Sequence, residues 1–208
     1  MHREYAHVWL ALRPAICLEL IASASNDQPA IACFMKNLAT SELVEILPAT
    51  EEHLPALAEL AGVIWRQHYP GIISQAQIEY MLEKMYSLDT LRKEIRARGI
   101  QFTRLLVGRR FVGFASFGPT ADSGVMKLHK CYLLPEMHGR GYGSQLLQYC
   151  ERIVRQLGAR RLILAVNKHN TRAVAAYQRN GFVLAKSVVT DFGSGFVMDD
   201  YIMVKDLT

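Results

Sequence analysis

Leu134-Pro-Glu-Met-His-Gly-Arg-Gly-Tyr-Gly-Ser144 is the stretch whose reading decides the fold. Before it runs an apolar strand pattern, Val125, Leu128, Tyr132, Leu133 and Leu134, which stops at Pro135. After it, Leu146, Leu147, Tyr149, Cys150, Ile153 and Leu157 recur at helical spacing. Gly139, Gly141 and Gly143 therefore stand where a strand hands over to a helix, and residues without Cβ let the backbone approach a ligand closely. The first N–H groups of a helix have no intrahelical partner, so such a start is an anion site, most plausibly for a pyrophosphate.

Two nucleotide-site readings compete for this turn. A dinucleotide fold wants Gly-x-Gly-x-x-Gly and an acidic residue closing the next strand, but the triplet starting at Gly139 ends in Ser144 and the strand from Arg161 to Val166 closes with Asn167. A phosphate loop ending in Gly-Lys-Ser/Thr is absent as well. Taken alone, the glycine run is also explained by a tight connection.

The sequel decides between them. Leu164-Ala-Val166 is followed by Asn167, Asn170, Ala173 and Tyr177-Gln-Arg-Asn-Gly-Phe182. The whole run resembles the GNAT acetyltransferase superfamily, whose core reads strand, Gln/Arg-x-x-Gly-x-Gly/Ala, helix, strand, Asn, helix, Tyr and then Gly-Phe. Here the signature is His138-Gly-Arg-Gly-Tyr-Gly143, with His138 where Gln or Arg is usual. The resemblance spans roughly residues 44–207 and is strongest from Tyr132 to Phe182.

That resemblance implies acetyl-coenzyme A as co-substrate. The amides from Gly139 through Arg140, Gly141, Tyr142 and Gly143 to Ser144, with His138, match the pyrophosphate cradle. Leu133 and Leu134 match the splayed strand that holds the thioester carbonyl and pantetheine, and Asn170 matches the residue that reaches the pantetheine arm. A helix cap is the plain reading of Asn170. Tyr177 stands where the superfamily places a phenol beside the sulfur, and it is the candidate general acid; its alternative is an apolar-face aromatic. Many relatives carry a glutamate on the strand before the glycine turn. In this chain that strand reads Lys127-Leu-His-Lys130, so His129 is the candidate base, because imidazole titrates near neutrality, and a structural strand histidine is the alternative.

The chemistry makes these demands because a free alkylamine, with a pKa of about 10, arrives protonated. The site must accept a proton, polarise a carbonyl and protonate a departing thiolate. In this superfamily the two opening helices wall the acceptor site, so Trp65, His68, Tyr69, Tyr80 and Tyr86 are candidates to line it, with core packing as the alternative. Tyr69-Pro-Gly-Ile-Ile-Ser74, Tyr80-Met-Leu82, Met85-Tyr-Ser87 and Asp199-Asp-Tyr-Ile-Met-Val-Lys205 resemble the PaiA-like polyamine acetyltransferase branch. Asp199, Asp200, Asp191 and Glu83 would supply negative charge to a polyamine, or else face solvent. The expectation is an N-acetyltransferase acting on a small primary amine; a protein or peptide N-acetyltransferase and a non-catalytic acyl-coenzyme A sensor are the alternatives.

Composition fits one α/β domain with a tail. Of 208 residues 50% are hydrophobic and 21% charged, enough for a sizeable core. The net charge of +5 is concentrated between Lys127 and Arg179, which suits a polyanionic cofactor. No aromatic-basic interleaving points to nucleic acid. Cys17, Cys33, Cys131 and Cys150 have neither redox nor zinc spacing, so no metal is expected and the thiols read as free in a reducing, cytoplasmic setting.

Residues 1–40 form an extension of uncertain order, and residues 41–208 the domain. Val8-Trp-Leu-Ala-Leu12 and Ile16-Cys-Leu18 are signal-like but broken by Arg13, Pro14 and Glu19, so no membrane span is expected. Met35 is the expected start of the essential part, with the first 34 residues dispensable. Strands are expected at Val44–Leu47, Gln101–Val107, Phe111–Phe117, from Val125, at Arg161–Val166, Phe182–Val189 and Tyr201–Val204. Thr50, Ser74 (with Gln77 as a capping box), Asp89 and Asn170 are the expected helix caps. These elements predict an α/β (α+β) single domain: a mixed, mostly antiparallel sheet, splayed at the cofactor strand, with helices on both faces. Monomer and homodimer both remain open.

Overall fold

A computed structural model describes residues 42–207. The expectations for the amino-terminal extension, including Cys17, Cys33 and the Met35 start, lie outside the described residues.

Seven strands form one sheet in the order β1-β2-β3-β4-β5-β7-β6. They are β1 (Val44–Ala49), β2 (Gln101–Val107), β3 (Arg110–Pro119), β4 (Val125–Leu133), β5 (Arg161–Asn167), β6 (Val183–Gly193) and β7 (Phe196–Asp206). All neighbours are antiparallel except β4 and β5. A parallel pair needs a crossover, and the helix that follows the glycine turn, α4 (Tyr142–Gln156), supplies it.

The other helices are α1 (Leu54–His68), α2 (Gln75–Tyr86), α3 (Leu88–Arg98) and α5 (Thr171–Arg179). Side chains of β7 alternate between two faces, and their partners sort the helices. Met198 meets Gln77 of α2, whereas Lys205, an odd number of residues on, meets Glu151 of α4. Helices therefore cover both faces, with Trp65, Phe114, Phe117 and Phe182 among the largest fully buried side chains between the layers.

Local signals explain most element ends. Gly99 closes α3 at φ 62°, and Gly181 follows α5 at φ 86°. Ser74 accepts a hydrogen bond from the Gln77 amide, but the expected capping box is only half formed: the Gln77 side chain turns away to the Val197 carbonyl at 2.8 Å. The cap of α3 is Ser87, not Asp89, which lies inside the first turn. Strands β6 and β7 run well beyond their expected limits and meet at a tight turn around Ser194. Most of β6 is exposed, so no buried-face alternation marked its length.

Two irregularities in β4 set up the site. Its pairing with β5 runs only from Val125↔Arg161 to Leu128↔Leu164, after which the two strands part. Its register with β3 shifts at the same level, between Ser116↔Lys130 and Phe117↔Leu128, leaving His129 as the extra residue of a bulge. The sheet thus opens as a wedge beside the turn that starts α4.

Candidate active site

The glycine turn is built without side-chain obstruction. Gly139 and Gly141 have φ of 80° and 81°, a left-handed conformation that other residues adopt at a cost. A Cβ placed at Gly139, Gly141 or Gly143 would meet nothing within 4 Å, so the space over the turn is open. Gly141 is the N-cap of α4 and offers no side-chain bond, and the first helical bond runs from Gln145 to the Gly141 carbonyl. The amides of Tyr142, Gly143 and Ser144 are the orphan donors of this helix end, next to Arg140. Open space, unspent donors and local positive charge fit the diphosphate of coenzyme A.

The wedge leaves backbone groups of β4 unpaired with β5 beside this turn. Leu134 donates its amide to the Val112 carbonyl at 2.9 Å, so by strand alternation Leu133 turns its own N–H and C=O away from β3, toward the gap. Leu134 has both backbone groups occupied, its carbonyl taking the Met137 amide, and its side chain is buried. His138 packs into the turn with Nε2 3.0 Å from the Leu133 carbonyl. A carbonyl can only accept, so His138 is protonated on Nε2 and its buried Nδ1 is an acceptor without a partner among the described residues. Burial lowers its pKa.

Above the wedge, α1 and α2 contribute an aromatic wall. Trp65 stacks on Tyr69 at 4.3 Å and approaches Tyr132 of β4 at 6.0 Å, and its Nε1 donates to the Tyr86 hydroxyl at 3.3 Å. The Tyr69 and Tyr132 hydroxyls are 3.4 Å apart. Trp65, Tyr69 and Tyr86 are all buried, whereas His68, the last residue of α1, is half-buried. Tyr80 sits elsewhere: its hydroxyl donates to the Phe192 carbonyl at 2.7 Å and its ring packs on Phe196, which secures the β6–β7 hairpin against α2.

Asn170 joins the two sides. Its Oδ1 accepts from the Ala173 amide and caps α5, which leaves Nδ2 to donate to His68 Nε2 at 2.9 Å. The helix-cap reading of this asparagine therefore holds, and the same side chain also fixes His68 at the end of α1. Burial lowers the His68 pKa, so this imidazole is neutral near pH 7. The rings of His68 and His138 lie 6.4 Å apart, edge to face.

Tyr177 projects from α5 over Phe182, ring centroids 5.7 Å apart, and burial raises its pKa well above that of a free phenol. After burial, Cys131 on β4, Tyr69 just past α1 and Cys150 on α4 push that pKa the same way. His129 has a buried Nε2 without a partner among the described residues. Its pKa is lowered to about 3, first by burial and then by Lys127, Lys130 and Arg98. A base that weak takes a proton from an alkylammonium only at a steep cost.

Asn180 was not singled out in the sequence, and Asp200 only as one source of negative charge for a polyamine. Asn180, inside the Tyr177–Phe182 run, donates to Ser144 Oγ at 3.1 Å and pins the end of α5 to the start of α4. Asp200 of β7, one of four acidic residues noted for charge alone, is only 8% exposed and has an Oδ1 with no partner among the described residues.

Comparison with known proteins agrees with this geometry. The model of the acetyltransferase (GNAT) family matches residues 60–182. A spermidine N(1)-acetyltransferase of Thermoplasma acidophilum is 31% identical over 160 residues, covering 75% of this chain and 96% of that protein. The crystal structure of a PaiA N-acetyltransferase from Thermoplasma acidophilum in complex with coenzyme A superposes with a TM-score of 0.67 at 27% identity, over 79% of this chain and 99% of that one. A GCN5-related N-acetyltransferase from Rhodopseudomonas palustris shares the fold, with a TM-score of 0.65 at 17% identity over 80% of this chain and 96% of that one.

Proposed function

The chain belongs to the acetyltransferase (GNAT) family and is an acetyl-coenzyme A-dependent N-acetyltransferase; from that premise we propose that its acceptor is a primary amine of a small, polyamine-like molecule. What carries the choice of acceptor is the likeness, over nearly the whole of the relative, to a protein named for acetylating spermidine. Asp200 of β7 agrees with a cationic acceptor, since it lies opposite Asn167, level with the open part of the wedge and one strand from it.

The co-substrate supplies an activated acyl group, and the protein supplies position and protons. In this reading the amides of Gly139–Ser144, with Arg140, Tyr142 and His138, hold the diphosphate end. Leu133 presents its backbone to the thioester arm, and Asn170 sets the limit of that channel. His68 and Tyr69 shape the acceptor side, with Trp65 behind them and Tyr80 holding the hairpin. Tyr177 keeps its proton at neutral pH because burial disfavours the phenolate, so it is loaded as the acid for the departing sulfur. His129 is the alternative proton acceptor, and its low pKa weighs against it.

The test is release of free thiol from acetyl-coenzyme A with a panel of amines. Turnover with spermidine or other polyamines is the expected result. Turnover restricted to peptide amino termini or lysine side chains would replace the acceptor class, and binding without turnover on any amine would overturn the reading.

No helix among the described residues is long and apolar enough to cross a membrane.

A further inference from the structure

The carboxylate of Asp200 is an unexplained cost in the folded chain. Its residue is more than nine-tenths buried and its Oδ1 is sealed from solvent, yet no hydrogen-bond donor meets that oxygen among the described residues. Its neighbour Asp199 is different: it is ion-paired with Lys168. A buried charge without a partner is expensive, and it persists in a fold when something other than the protein completes it.

Its place shows what would complete it. Asp200 lies opposite Asn167, the last residue of β5, three positions past Leu164, where the pairing of β4 with β5 ends. It is therefore level with the open part of the wedge and one strand away from the gap. It shares a face of β7 with Met198, whose sulfur meets Gln77 of α2, so the carboxylate is on the acceptor side of the sheet with the aromatic wall. The groups that feel its charge are Tyr69 at the end of α1, Lys127 on β4, Lys168 after β5 and Asp199 beside it. None of the lysines is within ion-pairing distance of it.

Resting on the reading of the chain as an amine acetyltransferase, we propose that Asp200 receives the attacking ammonium of the acceptor and takes its proton. One N–H bond of the ammonium breaks, the proton passes to the carboxylate, and the electron pair stays on nitrogen. That pair forms the C–N bond to the acetyl carbon as the C–S bond breaks. The sulfur keeps the bond's electrons and takes the Tyr177 hydroxyl proton, and the second proton lost by nitrogen restores the phenol. Asp200 then releases its proton to solvent, so one ammonium and one thioester give one amide, one thiol and one proton. Burial, followed by the charge of Asp199, raises the pKa of Asp200 above that of a free aspartate, which makes it a better proton acceptor than a solvated carboxylate.

The experiment compares wild type with Asp200→Asn and Asp200→Glu, using whichever amine, spermidine or peptide, the wild type turns over best. Asp200→Asn is expected to lower kcat/KM by about 10²- to 10⁴-fold, while the Kd for acetyl-coenzyme A stays within twofold of wild type. In that variant kcat/KM should climb about tenfold per pH unit toward the amine pKa of about 10, because only amine that arrives neutral reacts; the wild-type profile should be flatter. Asp200→Glu should recover part of the rate. An Asp200→Asn enzyme with wild-type kcat/KM and an unchanged pH profile overturns the assignment while leaving the acetyltransferase reading intact. Turnover with peptides alone removes the polyamine reading and leaves Asp200 to be judged on the peptide. Absence of turnover with every amine sinks both.

Discussion

The side-chain amide of Asn170 and Nε2 of His68 are 2.9 Å apart, and this contact ties the start of α5 to the end of α1 across the active-site wedge. Because Oδ1 is committed to the Ala173 amide, the asparagine presents its NH2 to the imidazole and fixes the proton of His68 on Nδ1. Asn170→Ala should cost about 1 kcal/mol through the lost cap and also free His68. Asn170→Asp should keep the cap while placing a carboxylate against Nε2, which raises the His68 pKa. Chemical denaturation of both variants and NMR titration of His68 check this; an unmoved His68 pKa in Asn170→Asp would contradict the contact.

Tyr177→Phe removes a hydroxyl and leaves the packing on Phe182 in place. Turnover should fall by about 10²-fold or more, with the Kd for acetyl-coenzyme A nearly unchanged. Steady-state kinetics paired with calorimetry make the check, and unaltered kcat would remove the role of proton donor.

Lys130 and Glu94 form a buried ion pair, with side chains 2% and 9% exposed and contacts of 2.6 and 2.7 Å. Burial lowers the Lys130 pKa, and Glu94 offsets part of that effect. Glu94→Ala strands the ammonium between the rings of Tyr86 and Phe102 and should cost about 3–5 kcal/mol. Adding Lys130→Met should recover part of the loss, since it removes the stranded charge while the volume of the Glu94 side chain stays unfilled. Urea denaturation of the two single variants and the double variant measures the coupling.

His129 predicts an acid sensitivity with a definite sign. Its folded pKa of about 3 is below the 6.5 of a free imidazole, so between those values the unfolded chain binds more protons. The stability it contributes is present above pH 6.5 and is lost as pH falls toward 3. Thermal melts at pH 7 and pH 4.5 should show a smaller acid loss in His129→Gln than in wild type; equal losses would mean the imidazole is not buried as described.

The glycine turn and the helix ends were more legible in the sequence than the contacts between distant elements, and the reason is physical. Gly139, Gly141, Asn170 and Gly181 act through backbone conformation and capping, which depend on near neighbours in the chain. They were legible for that reason. Gln77 and Asn180 act through partners many residues away, so their roles appear only when the fold brings β7, α2, α4 and α5 together, and the burial of Asp200 appears only there too. Gln77 shows the difference within one side chain: its spacing from Ser74 spelled a capping box, and Val197, 120 residues on, captured it. The bulge that carries His129 was equally hidden, because one extra residue in β4 leaves no mark on an apolar pattern that short.

The parting of β4 from β5 leaves the sheet one strand short where chemistry occurs. The N–H of Leu133 faces that gap with no neighbouring strand to pair with, its carbonyl being held by His138, and an amide-rich arm laid into the gap would extend the ladder. Occupancy of the gap is then a matter of architecture as much as of catalysis. Amide hydrogens along the far half of β4 should exchange quickly in the free enzyme and slow sharply once coenzyme is bound, so the co-substrate is in effect the last piece of secondary structure to fold.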